Sequence, residues 1–350
     1  MSTPSHDSQT AERIPYHLSQ NDYSTKNKPR CHRPDEILVR NHAVAANPID
    51  WKIQTWNVIV TEYPNVLGSD VSGIIEAIGS SVTKFSVGDR VTGFAGVLYN
   101  QKIDHGAWQT YTLLKEIATT KIPDSLSFEE ASTFPMAYAT VAATFYILWS
   151  FPRRIGKVDQ KNEGFLVWGG ASSVGAATIQ LANTLGYKVF TTASPKHHEY
   201  LKSIGAFATF DYHDPEIVKR VVEAVKSSGV NLTIGVDAIS ENNTSKLSSD
   251  IITATASGTG KLVTTLPFPE KYSKPEGIEI LQTAAVRLFT DSQDVGAWFF
   301  NDFLKDALEK KYLVPSPPVE IVEGGISASQ KVFDQLKAGV SGKKLVVKVE

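Results

Sequence analysis

Between residues 36 and 120, apolar and polar positions alternate in short runs separated by turn residues, and no apolar pattern of helical period is sustained. Residues 36–44 (Glu-Ile-Leu-Val-Arg-Asn-His-Ala-Val) and 71–78 (Val-Ser-Gly-Ile-Ile-Glu-Ala-Ile) are short β-branched runs that read as strands, and Gly88-Asp89 is a turn leading into Arg90-Val91-Thr92-Gly93-Phe94. Together they predict a small all-β, barrel-like lobe. The period changes at Ser127, where Ser127-Phe128-Glu129-Glu130-Ala131 puts a hydroxyl at a helix cap with Glu130 three residues on. An apolar helical stretch follows over 137–149, and Phe151-Pro152 with the polar run 153–163 predicts a surface loop. Beyond it, strands at 165–168, 188–192, 208–210, 232–236 and 261–265 alternate with helices at 174–185, 198–204 and 216–227. That βαβ rhythm predicts a doubly wound parallel sheet of five or six strands, an α/β fold. Helical patterns at 295–311 and 328–337 precede a closing strand at 344–349 that is more like the first lobe than the second. The expected boundaries are therefore 1–126 and 295–350 for one domain, with 127–294 inserted into it.

Length agrees with two domains, since 350 residues exceed what one core usually serves. Hydrophobic residues at 42% and charged residues at 21% describe a globular chain, and the net charge of -2 leaves no electrostatic case for nucleic acid. The first ~25 residues are polar and unperiodic, and are expected to be loose, with order beginning near Glu36. They have no apolar core of a signal peptide, and no apolar run approaches the ~20 residues of a spanning helix. One cysteine, Cys31, permits no intrachain disulfide and no cysteine-rich metal site, so the expected setting is the cytoplasm and no membrane.

Candidate chemistry starts at Phe165-Leu166-Val167-Trp168-Gly169-Gly170-Ala171-Ser172-Ser173-Val174-Gly175, an apolar strand, a turn of small residues and the start of a helix. Small residues let backbone approach a pyrophosphate, whose charge is met by free N–H groups and the positive end of the helix dipole. The spacing departs from Gly-x-Gly-x-x-Gly, and an ordinary tight βα turn is the alternative. The next strand ends at Thr191-Thr192-Ala193-Ser194-Pro195-Lys196, where an NAD site would place a carboxylate for the ribose 2′-hydroxyl. Here Ser194 is a donor to a 2′-phosphate and Lys196 neutralises it, with Tyr212 able to join, so NADPH is favoured over NADH. A solvated lysine at a helix start is the alternative for Lys196.

The pattern from about Asp35 onward resembles the zinc-lacking quinone-oxidoreductase and enoyl-reductase branch of the medium-chain dehydrogenase/reductase superfamily. The resemblance is carried by Ala46-Asn47-Pro48-Ile49-Asp50-Trp51-Lys52, Val66-Leu67-Gly68-Ser69-Asp70-Val71-Ser72-Gly73 and Val87-Gly88-Asp89-Arg90-Val91. It continues in the 169–175 turn with Ile179-Gln180-Leu181-Ala182, in Ser203-Ile204-Gly205-Ala206 before Phe210-Asp211-Tyr212, and in Ser341-Gly342-Lys343-Lys344-Leu345-Val346-Val347. Within the branch the chain looks similar to fungal members that include free-standing enoyl reductases working beside polyketide synthases. The resemblance implies a Rossmann domain inserted into a GroES-like substrate domain, and a cofactor site that includes Pro48, Thr140, Gly170, Ser172, Ser173, Val174, Ile239 and Leu266. Zinc-dependent relatives carry a cysteine in the first motif and Gly-His-Glu in the second; this chain has Asn47 and Gly68-Ser69-Asp70, and Asn47 and Ser69 are poor zinc ligands. Adjacent His197 and His198 point in different directions on a helix, so no metal is expected.

Without a Lewis-acid metal, conjugate reduction suits the site best, because it needs only hydride at the β-carbon and donors for the developing enolate. The resemblance places Thr140 near the nicotinamide and makes Lys52 the polar catalytic candidate, holding a carbonyl or relaying a proton, with a surface lysine as the plain alternative. Asp50, Asp70 and Arg90 are expected to be structural. Trp51, Trp56, Tyr63, Phe94 and Tyr99 fall in or near segments that frame the cleft in relatives; core packing is the alternative for each alone, and together they favour a bulky, poorly polar substrate over a sugar or an amino acid, so the expected partner is a small hydrophobic unsaturated molecule. A carrier-bound acyl chain of a polyketide synthase is the second enzyme hypothesis, and a non-catalytic NADPH-binding sensor the alternative of a different class. Both monomer and homodimer are compatible with the family; the strand 261–266 is the expected sheet edge, and Pro267, Phe268, Pro269 and Pro275 suggest an interrupted edge that favours a monomer.

Overall fold

The computed structural model describes residues 33–349. The expectations for the N-terminal stretch and for Cys31 lie outside these residues. Strands β1 (Glu36–Ala45), β2 (Asp70–Ile78), β3 (Arg90–Phe94), β4 (Tyr111–Lys115) and β5 (Thr119–Lys121) build the first lobe. β1 is its centre, since it pairs antiparallel with β2 along one edge and with β4 over residues 36–40 of the other. That is why Ile37, Val39 and Val44 are fully buried in one core with Val71, Val91 and Leu114. The lobe is not all-β, however. Pro48–Trp56 is a helix, started by Pro48 in its first turn and by the Asp50 carboxylate, which accepts the Asn47 N–H at 3.0 Å. An isolated Asn-Pro after a strand reads equally well as a turn, which hid this helix from the pattern.

The inserted lobe contains the six parallel strands β6 (Glu163–Trp168), β7 (Lys188–Thr192), β8 (Ala206–Phe210), β9 (Asn231–Asp237), β10 (Gly260–Thr264) and β11 (Ile278–Gln282). Their order, β11-β10-β9-β6-β7-β8, is that of a doubly wound dinucleotide-binding sheet, with its switch point between β6 and β9. Helix Ser173–Thr184 covers one face, and the helices Ile217–Ser228 and Thr244–Thr255 cover the other. β10 is flanked by β9 and β11, so it is not the edge. Pro267, Phe268, Pro269 and Pro275 lie in the connection before β11, and β11 itself pairs over all five of its residues. The argument for a monomer from an interrupted edge therefore fails.

Helical chain over 293–309, expected to begin the return at residue 295, buries Phe299, Phe300, Phe303 and Leu304 in the same core as Ala176, Ile179 and Leu181 of the inserted lobe. It also ties the lobes together, because Asn301 Nδ2 donates to Glu116 O at 2.9 Å and to Thr119 O at 2.8 Å. The first sheet is regained at β12 (Val319–Ile321), parallel to β13 (Lys344–Lys348), which pairs antiparallel with residues 43–45 of β1. The similarity of the last strand to the first lobe thus reflects membership of its sheet. Phe128–Leu148, helical at Phe128–Ala131 and again from Pro135 to Leu148, is long and apolar enough by composition to span a membrane, contrary to the expectation that no run reaches that length; 83% of its most apolar window is buried inside the protein, as befits a core segment.

Candidate functional site

The turn after β6 lies at the switch point. Gly169 has φ +80, a conformation that favours glycine, and a Cβ on Gly175 would stand 2.2 Å from Gly169 O, so helix and turn approach as closely as the pattern required. Ser172 caps the helix Ser173–Thr184: its hydroxyl accepts the Gly175 N–H at 3.0 Å and its carbonyl accepts Ala176 N–H at 2.8 Å. The first-turn N–H groups of Ser173 and Val174 precede the first intrahelical bond, and are the ones a helix start offers to an anion. Gly170 packs against β7, where an added Cβ would meet Thr191 Oγ1 at 2.2 Å, and its N–H donates to Thr192 O at 2.9 Å. Ile239 covers the turn from the loop after β9, its Cγ1 2.4 Å from where a Gly169 Cβ would be. Leu266 lies two residues beyond β10, and its neighbour Thr265 donates its N–H to Ser240 Oγ at 2.8 Å. The turn is therefore packed so closely against Ile239, Thr191 and its own helix that side-chain atoms at Gly169, Gly170 or Gly175 would collide with them.

At the end of β7, Ser194 Oγ and Tyr212 Oη are 3.3 Å apart, and Lys196 is exposed in the same turn. The structure thus brings together Ser194 and Tyr212, two of the three residues expected to meet a 2′-phosphate, with Lys196 two residues along the chain from Ser194. Glu199, the first carboxylate after this strand, is held 2.8 Å from Lys202, whose ammonium lowers its pKa.

Facing the sheet, Lys52 on helix Pro48–Trp56 is buried, with its Nζ 2.9 Å from Glu241 Oε1 in the loop after β9. The same ammonium stands 5.6 Å from the Trp51 ring and 5.3 Å from the Trp56 ring, within cation–π range. Glu241 was invisible to sequence reasoning; a carboxylate two residues after Ile239 has no motif of its own. Its loop is anchored by the buried Asp237 carboxylate, which accepts from Ile239 N, Ser240 N, Thr244 Oγ1 and Ser245 Oγ. Burial pushes the Asp237 pKa up, against the pull of those donors.

Below Lys52, Lys344 from β13 donates to Asn47 Oδ1 at 2.6 Å and pairs with Asp70 Oδ2 at 2.9 Å, all three side chains buried. Asp70 Oδ1 accepts the Met136 N–H at 2.6 Å, joining this cluster to the start of helix Pro135–Ala142. A lysine ammonium therefore sits among the residues that stand where zinc-dependent relatives have ligands. Asp50 is fully buried beside it, and burial pushes its pKa to about 7, helped by the Asp70 charge and opposed by the Asn47 N–H. The contacts of Asp50 and Asp70 are all with backbone or buried side chains of the framework. Arg90 likewise donates to Pro123 O and Leu126 O.

Thr140 is buried on helix Pro135–Ala142 and its hydroxyl donates to Met136 O at 2.8 Å, leaving its oxygen as an acceptor. Pro48 is exposed at the start of its helix. The aromatic residues do not form one slot. Trp51 and Trp56 meet edge-on at 5.6 Å, and Trp56 is 51% exposed, whereas Phe94 is fully buried between Tyr99 and Phe289, at 6.5 and 4.7 Å. No ring contact joins the two groups among the described residues. Tyr63 belongs to neither, its hydroxyl donating to Val60 O at 2.6 Å.

Comparison with known proteins bears on this geometry. A family model described as the alcohol dehydrogenase GroES-like domain matches residues 33–124. The chain is 36% identical over 324 residues to the trans-enoyl reductase tndF of Aspergillus flavipes, covering 90% of this chain and 91% of the relative. It is 34% identical over 346 residues to the dehydrogenase pigH of Monascus ruber, covering 90% and 92%. Its fold is that of the Escherichia coli quinone oxidoreductase solved in complex with NADPH, with TM-score 0.70 and 19% identity over 91% of this chain and 93% of the other.

Proposed function

The chain belongs to the enoyl-reductase and quinone-oxidoreductase branch of the medium-chain dehydrogenase/reductase superfamily, and from that premise we propose that it is an NADPH-dependent reductase of an activated carbon–carbon double bond in an enone, enoyl thioester or quinone. The observation that carries this is the facing pair: the backbone cradle at Gly169–Gly175 on one lobe and the buried Lys52 ammonium on the other. When bound, the reduced nicotinamide would supply a hydride to the β-carbon and be left oxidised, and solvent would supply the proton that the α-carbon takes. The cradle's N–H groups at Ser173 and Val174 hold the pyrophosphate, with Gly170 and Ser172 shaping the approach. Ser194, Tyr212 and Lys196 take the 2′-phosphate, and on these residues rests the preference for NADPH over NADH. Pro48, Thr140, Ile239 and Leu266 line the rest of the dinucleotide. Lys52 donates to the substrate carbonyl as negative charge develops there, which is the step a metal would otherwise assist. The reaction runs without zinc: Lys344 already supplies the cation between Asn47 and Asp70.

A second reading, an acyl chain delivered by a polyketide-synthase carrier, is favoured by one observation. Trp56, Val58 and Ile59 are 51%, 38% and 46% exposed, an apolar rim following Lys52 on which such a chain would lie. The test is loss of NADPH absorbance with a panel of enones, enoyl thioesters and quinones, with NADH as control. Turnover with a conjugated acceptor supports the reductase; a carrier-bound chain reduced far faster than a simple thioester supports the second reading; NADPH binding without any turnover would replace both with a sensor.

A further inference from the structure

We propose that Glu241 is the residue that positions Lys52, so that the catalytic ammonium is set by the nucleotide-binding lobe and not by the helix that carries it. The inference rests on the role given to Lys52 above. Three observations carry it. Lys52 and Glu241 lie 189 residues apart and on different lobes, yet their charged atoms are 2.9 Å apart, with the lysine side chain 10% exposed and the carboxylate 52%. The residues on either side of Glu241, Ser240 (φ 54) and Asn242 (φ 57), are both left-handed, a conformation costly for side-chain-bearing residues and kept only where the surroundings impose it.

Here the surroundings are the buried Asp237, which accepts two backbone donors of this loop and two hydroxyls of the helix after it, and Ser240 Oγ, which donates to Asp237 O at 2.9 Å and accepts Thr265 N–H from just beyond β10. A loop built this tightly aims its one carboxylate, and Trp51 and Trp56 close on the ammonium from the side of its own helix. The loop also carries Ile239, which packs on the Gly169 turn. One rigid segment therefore touches the cofactor cradle and the lysine, fixing the distance between hydride donor and carbonyl donor. A lysine left to itself samples many rotamers, and misplacement of such a group costs rate more than binding.

The experiment measures two quantities on E241Q, E241D and D302N, and the second of them also on K52M. The first is the rate at which Lys52 is acylated by an amine-reactive ester, read by mass spectrometry; the second is kcat and KM in the NADPH oxidation assay. E241Q is expected to label at Lys52 about tenfold faster and to lose about tenfold in kcat, with KM for NADPH little changed, E241D falling between. In a K52M background, E241Q should have no further effect on kcat. D302N breaks Lys84–Asp302, another ion pair between the lobes at 2.8 Å but half exposed, and should change neither quantity. Wild-type labelling and kcat in E241Q, beside an inactive K52M, would overturn the inference alone. The same loss from D302N would overturn it too, as general loosening of the lobes. Wild-type turnover by K52M would remove the role of Lys52 and the inference with it. The labelling arm needs no acceptor, so wild-type labelling in E241Q overturns the pairing even where no substrate is turned over.

Discussion

The nucleotide-binding side of the cleft is made of backbone and small side chains, while the side facing it is made of charges. On the first, Gly169, Gly170, Ser172 and Gly175 leave N–H groups and close approaches, with no charged side chain in the turn itself. On the second, two lysines sit in different company. Lys344 is 2% exposed and its partners Asn47 and Asp70 are buried in its own lobe; Lys52 is paired across the cleft to a half-exposed carboxylate. A cation whose partners are all buried is locked, since moving it would strand a charge without water. A cation held by one exposed carboxylate and two rings can exchange that partner for a substrate oxygen. The contrast separates framework from chemistry within one set of charges.

Breaking the locked cation should have the largest effect. K344M leaves the Asp70 carboxylate buried and unpaired, and is expected to lower stability by about 3–5 kcal/mol in denaturant or thermal melts, with K344M/D70N recovering much of the loss. Asp50 sharpens the same point through pH. Its folded pKa of about 7 lies above the ordinary carboxyl value of 3.8, so the folded protein holds a proton that the unfolded chain releases, and the group's contribution to stability falls as pH rises from about 4 to about 7. The melting advantage of D50N relative to wild type should therefore grow across that window, by about 3 kcal/mol between pH 5 and pH 8, and level off above it. A flat difference would show an ionised Asp50 throughout.

On the opposite wall the expected losses are in binding. G175A puts a methyl 2.2 Å from Gly169 O and should open the cradle, weakening NADPH at least tenfold by fluorescence titration, a change of about 1.4 kcal/mol or more. Smaller still, K196A and S194A should each weaken NADPH by up to about tenfold and leave NADH unchanged. Equal losses for both cofactors would place the 2′-phosphate elsewhere.

Much of this wall was legible before the fold was known. Phe165-Leu166-Val167-Trp168 followed by small residues needs only neighbours in sequence to become a strand and an anion-binding turn, and β7 ends where Ser194 and Lys196 were expected to be useful. Helix Thr244–Thr255 was not legible, because its buried face is Ser245, Ser248 and Ser249 beside Ile251 and Ile252, small polar residues that give no apolar stripe. Phe94 counted as a cleft residue from its segment alone, and burial by Phe289 from a distant turn withdrew it.

Sequence by itself determined the change from alternating strands to a βαβ rhythm and the strand, small-residue turn and helix at 165–185, which follow from spacings within about ten residues, where local geometry decides. Only the tertiary structure decided which charges meet. Lys52 finds Glu241 across 189 positions and between lobes, Lys344 finds Asp70 across 274 within one lobe, and no local periodicity encodes contacts that exist only once the chain has folded back on itself.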